Sequence, residues 1–166
     1  MEYQVRDARI TDVGRIAALL AASGAQSAAA TTTSGTDLLR QLIYLPNAAV
    51  LVAEARRVLV GAAVLALRPS VSGGGMVGTV DLLVVDPAYE GAGVADSLLG
   101  EALRSARNKG CVAVEAVPPD DPAAQRRWTD LGFAADGPRI KRDLTPAGAA
   151  RDPSAAPVPG GGRPAH

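Results

Sequence analysis

Residues 82–99, LLVVDPAYEGAGVADSLL, run in order as an apolar strand, a proline turn, a glycine-rich loop and an amphipathic helix. Gly91 and Gly93 give the backbone the freedom that lets successive amides converge on an anion where a helix begins. The same stretch carries Glu90 and Asp96 and no Lys or Arg, an acidic setting for a phosphate. Geometry and charge point in opposite directions. The third glycine of a dinucleotide fingerprint is missing and Pro87 interrupts the approach from the strand, while no Gly-Lys-Ser or Gly-Lys-Thr follows. What remains is an anion-binding loop or a strand-to-helix turn without a ligand.

Upstream lie three strand-like runs: AVLVAEA at 49–55, VLVGAAVLALR at 58–68 and MVGTVDLLVV at 76–85. They predict an antiparallel meander whose first hairpin turns at Arg56 and Arg57. Ahead of them residues 3–9 alternate as a short strand, Thr11 is placed to cap a helix over 12–22, and 36–45 predicts a second helix broken by Pro46 and Asn47. The small polar run between these helices, SGAQSAAATTTSG at 23–35, reads as a loop or a frayed helix. Downstream the pattern is helix 94–109, strand 111–117, helix 121–131 and a last strand pair around Phe133 and 139–144. Asp121 suits the N-cap of the late helix, with Pro122 at its first position. The order predicts an α+β fold, a central and mostly antiparallel sheet flanked by helices on both faces.

With 166 residues the chain suits one domain. Its 17 basic and 17 acidic residues balance and aromatics reach only 3%, so neither a global field nor a stacking surface draws it to nucleic acid or an anionic membrane. Cys111 is the single cysteine, which excludes an intramolecular disulfide and favours a cytoplasmic setting; in CVAVEAV it reads as a buried strand thiol. No basic leader and no apolar run of about 18 residues is present. The only histidine is His166 at the end of the chain, so neither a histidine base nor a metal site is expected. Residues 1–145 predict the folded domain, and the Ala/Pro/Gly-rich 146–166 a disordered tail.

Two segments carry a resemblance to a known family. VVDPAYEGAGVADSLLGEAL, residues 84–103, resembles the acetyl-coenzyme A binding motif of the GNAT N-acetyltransferase superfamily, V-x-P-x-x-[QR]-x-x-G-x-[GA] leading into a helix. DPAAQRRWTDLGF, residues 121–133, resembles its second signature, N-x-x-A-x-x-x-Y-x-x-x-G-F, at unbroken spacing. The resemblance covers everything but the tail and implies the acyl-CoA N-acyltransferase fold. It also implies acetyl-CoA as co-substrate without a metal, a small-molecule amine as acceptor, and a homodimer as the family expectation.

Each part of coenzyme A asks for a different surface. The amides of Gly91, Ala92, Gly93, Val94 and Ala95 suit its pyrophosphate. Its amide-rich arm matches the exposed backbone of Leu83, Val84 and Val85, paired like an extra strand. On the late helix Asp121, Ala124 and Trp128 share one face, and Ala124 is small enough to admit the arm.

The chain departs from the family pattern at three positions. Glu90 stands where Gln or Arg is usual, and Asp96 where a small hydroxyl residue is common. A like charge about 6 Å from a phosphate at an effective dielectric near 20 costs roughly 3 kcal/mol, and much less if it points to solvent. Trp128 occupies the place where the family often has a Tyr that protonates the departing thiolate, and an indole is no acid near pH 7. Tyr89 reads as a turn residue packing on the sheet edge.

For the base, the resemblance indicates Asp81, where many relatives carry a Glu. In TVDLLVV it is either a buried carboxylate with a raised pKa or an exposed one on the strand. Glu115, on the next strand, is the second candidate. Acidic residues at 81, 115, 120 and 121 favour a cationic amine, and the DDPA and WTDLG segments resemble small members that acetylate aminoglycosides. The expected activity is acetyl transfer to such an amine; the alternative is a catalytically degenerate domain serving as an acyl-CoA-binding or regulatory module.

Overall fold

Among the described residues five strands join in sequence order to make the sheet: β1 (Gln4–Asp7), β2 (Ala48–Ala55), β3 (Val58–Ser70), β4 (Gly75–Val85) and β5 (Cys111–Ala116). The first four pair antiparallel, and β5 lies parallel to β4. This computed structural model describes residues 2–24 and 33–137. Most of the expected loop at 23–35, the 139–144 strand, the domain end at 145 and the 146–166 tail lie outside the described residues. Residues 133–137 are described and carry no strand. Met1–Ala135 forms one compact unit.

Helices cover both faces. On one, α1 (Val13–Ala22) and α2 (Thr33–Tyr44) bury Ile16, Leu20 and Leu39 against Val50, Val52, Val64 and Val84. On the other, α3 (Val94–Asn108) buries Val94, Leu98 and Ala102 against Leu51, Val60 and Ala63, and Ala106 against Leu65 and Leu67. Each fully buried aliphatic side chain stabilises by about 1.5–3 kcal/mol. The two strands between these layers are apolar almost throughout because both of their faces are covered.

The local starts and stops differ from the sequence expectation in two places. Thr11 is exposed inside a 3-10 turn, Ile10–Asp12, and Asp12 stands at the N-cap position of α1 without a side-chain bond to the helix amides. The Asp12 side chain is only 2% exposed; it accepts from Arg6 at 2.7 and 3.2 Å, from the Arg9 amide at 2.8 Å and from Arg15 at 3.1 Å. That network draws the chain into the turn before the helix begins. The second helix starts at Thr33, so the end of the small polar run is helical. The β2–β3 hairpin forms as expected, with positive φ at Arg56 and Arg57 matching the twist of the strands.

Two features of the sheet position the site. A β-carbon on Gly61 would lie 2.8 Å from Val94 Cγ1 and 2.9 Å from Leu98 Cδ1, so only glycine lets the first turns of α3 rest this closely on β3. In β4 the register slips between Val64/Leu82 and Leu65/Val80, leaving Asp81 as a bulge. Val80 packs toward α3 whereas Leu82 packs toward α1. The bulge thus switches which residues of the strand face which layer.

Candidate active site

Past the bulge, β4 and β5 separate. Their register runs from Met76/Cys111 to Val80/Ala116 and ends there, while β4 stays paired with β3 as far as Val85. After β5 the chain passes through Pro118 and Pro119, which have no amide to extend a ladder. Asp86 donates its amide to the Val60 carbonyl at 2.8 Å. Strand alternation then turns the peptide groups of Leu83 and Val85 toward the opposite edge, which meets no strand among the described residues. Val84 points its peptide groups to β3, so of the three residues expected to meet an amide-rich arm, two present their backbone.

The open edge leads into the glycine loop. A 3-10 turn, Pro87–Tyr89, follows the strand, with Asp86 accepting the Ala88 amide at 2.9 Å. Gly91 and Gly93 both adopt φ +81°, a conformation that costs an L side chain roughly 1–2 kcal/mol. Gly93 is the N-cap residue of α3, and no side chain caps that end. The amides of Val94 and Ala95 consequently lack an intrahelical acceptor and stand at the positive end of the helix dipole. Ala92 falls out of the expected set, since its amide donates to the Tyr89 carbonyl at 3.1 Å. Tyr89 is half-buried against the cluster beneath α3, as a turn residue packing on the sheet.

The two loop acids differ in environment. Glu90 is exposed, whereas Asp96, in the first turn of α3, pairs with Arg127 Nε at 3.0 Å. Arg127 belongs to α4 (Pro122–Asp130), and a cavity of about 560 Å³ opens between that helix and Asp96, lined also by Arg126 and Asp130. Sequence reading missed both arginines. Their only signal was the RR pair inside the second signature, and periodicity does not disclose a contact between two separate helices.

Much of that signature terminates α4 and caps its start. Asp121 accepts the Ala124 amide at 2.9 Å, with Pro122 opening the helix. At the other end Gly132 takes φ +90° and donates to Thr129, while Phe133 donates to the Trp128 carbonyl at 3.0 Å. This is the closing pattern of a glycine-terminated helix, and its usual apolar contact is made by Trp128 and Phe133, edge to face at 4.8 Å. Ala124 and Trp128 are half-buried.

The candidate bases are also unlike each other. Asp81 is exposed at the bulge, which sets aside the buried-carboxylate reading. Glu115 sits beside Thr79, on the neighbouring strand as expected, and pairs with Arg68 of β3 at 3.0 Å across the intervening β4. Among the described residues no cluster of metal-ligating side chains is found, and no helix is long and apolar enough to cross a membrane.

An open strand edge that runs onto an uncapped helix through two left-handed glycines fits an acyl-CoA fold, and residues 19–133 match the model of the acetyltransferase (GNAT) family. The chain belongs to that family. A glucosamine 6-phosphate N-acetyltransferase from Trypanosoma brucei brucei is 33% identical over 87 residues, 52% of this chain. The match spans 58% of that relative's length. Among solved structures, a transcriptional regulator from Bacillus halodurans C-125 superposes with a TM-score of 0.75 at 20% identity, over 86% of this chain and 100% of its own. A predicted acetyltransferase from Clostridium acetobutylicum, solved with acetyl-CoA, gives 0.71 at 15% identity over 86% and 97%. These likenesses bear out the expected α+β GNAT fold.

Proposed function

We propose that this GNAT protein transfers an acetyl group from acetyl-CoA to the primary amine of a small, cationic substrate in the cytoplasm. The observation that carries this reading is the open β4 edge at Leu83 and Val85, continuous with the uncapped first turn of α3. Leu83 and Val85 would hold the amide-rich arm, and Gly91, Gly93, Val94 and Ala95 the pyrophosphate. Asp81, exposed beside the point where the strands part, has a free path to an incoming ammonium and would accept its proton, directly or through water. Glu115 already carries Arg68 as a partner and would serve the acceptor's charge rather than its proton. The thioester supplies the acyl group and a good leaving thiolate.

Isothermal titration tests the cofactor step. Acetyl-CoA should bind the protein, and Gly93→Trp should abolish binding, because a side chain at that φ displaces the loop. No binding at millimolar acetyl-CoA would end the proposal. Thiol release over an amine panel that includes glucosamine 6-phosphate and aminoglycosides then identifies the acceptor class. Sedimentation of the free protein checks the homodimer that the family suggests.

A second reading, a degenerate domain that binds acyl-CoA without turnover, draws on Trp128. Its ring closes α4 against Phe133 and offers no acidic proton. Release of free thiol with any amine would rule this reading out.

A further inference from the structure

We propose that Arg126 and Arg127 of α4 are the cations that bind the phosphates of coenzyme A in this protein, with Asp96 holding Arg127 in place until a phosphate takes it over. The inference rests on the cofactor reading above. It begins from a deficit: the segment from Asp86 to Asp96 contains acids and no base. A second helix makes up that deficit. Arg127 Nε lies 3.0 Å from Asp96, and Arg126 lines the same cavity of about 560 Å³, a volume within the ordinary range for small-molecule sites.

The pair is open to solvent, with side chains 36% and 51% exposed. Ion pairs this open contribute little to stability, so tying two helices together is a poor account of it. Asp96 of α3 and Asp130 of α4 line the cavity together with Arg126 and Arg127, so the lining carries two charges of each sign. A phosphate entering the cavity gains its full attraction only by displacing a carboxylate from an arginine. The planar guanidinium favours that exchange, because it meets a phosphate through two parallel hydrogen bonds. Asp96 thus acts as a placeholder that keeps Arg127 at the phosphate end of the loop.

The test is calorimetric titration of the full chain, with thermal melting alongside, for the wild type and for Arg126→Gln, Arg127→Gln and Asp96→Asn, using acetyl-CoA and dephospho-CoA. Each arginine variant should weaken acetyl-CoA binding about tenfold, the loss of one charge-assisted contact. Asp96→Asn should tighten it, because Arg127 is released. An arginine effect that disappears with dephospho-CoA assigns that residue to the 3′-phosphate, and one that persists assigns it to the pyrophosphate. If Asp96→Asn and Arg127→Gln weaken binding alike and lower the melting temperature alike, the pair is a structural tie and the proposal fails. Wild-type affinity in both arginine variants also overturns it while leaving the cofactor reading intact. Absence of acetyl-CoA binding by the wild type overturns both.

Discussion

The Tyr3 and Ser97 hydroxyls lie 2.8 Å apart, joining the residue just before edge strand β1 to the first turn of α3 across 94 residues of chain. Tyr3 also packs its ring in the cluster beneath that helix, and its oxygen would be 3.4 Å from a β-carbon on Gly93. The N-terminal strand thereby fixes the helix end that the glycine loop enters. Tyr3→Phe and Ser97→Ala should each cost about 1 kcal/mol in urea unfolding, the net worth of one hydrogen bond. The double variant should lose little more than either single one; additive losses would show that the hydroxyls are not partners.

The Asp12 network predicts a stability profile with pH. Hydrogen bonds from Arg6 hold the Asp12 carboxyl below its ordinary range despite its burial, and the same guanidinium lowers Glu54. A group whose folded pKa is depressed stabilises above its unfolded value, and that contribution is lost as pH falls through the folded value. Stability should therefore decline progressively as pH falls through and below the ordinary carboxylate range. Arg6 is raised further from an already high value and stays charged throughout. Asp12→Ala should cost about 3 kcal/mol at neutral pH and flatten the acid limb of melting temperature against pH. An unchanged acid limb would remove Asp12 from the account.

Gly61→Ala should destabilise the protein by about 1–3 kcal/mol through overpacking, since Val94 and Leu98 occupy the space a methyl group needs. Because those residues belong to the first turns of α3, the variant should also weaken acetyl-CoA binding. Gly100→Ala, on the same helix with nothing within 4 Å of the new carbon, is the control and should be neutral or slightly stabilising.

Cys111 is half-buried at the start of β5, and desolvation pushes its thiol up. Alkylation by iodoacetamide at pH 7.5 should be slow in the native protein and rapid in urea. Labelling at the rate of a free thiol would contradict the packing of this strand.

The sequence disclosed the sheet and its helices because apolar runs and helical periodicity are local signals: 49–55 and 58–68 are short continuous apolar runs, and 94–109 carries its apolar residues at helical spacing. It disclosed the loop because Gly91 and Gly93 have a single stereochemical meaning at φ +81°. The fate of Asp96 was not legible, since Arg127 reaches it from another helix. Trp128 looked like a missing acid, whereas its backbone and ring close α4 with Phe133. Thr11 looked like a cap because the four-way contacts of Asp12 involve residues on three elements.

Asp81 acts on the arithmetic of β4. Before it, Met76 and Val80 turn toward α3; after it, Leu83 and Val85 do. The strand therefore changes parity at one residue. Deleting residue 81 would make Val80 and Leu82 neighbours and restore plain alternation, so every later side chain would keep its present layer and only the bulge and its local bend would be lost. The packing of the two layers does not need the extra residue; what it sets is the path of the β4 edge just where β5 leaves it.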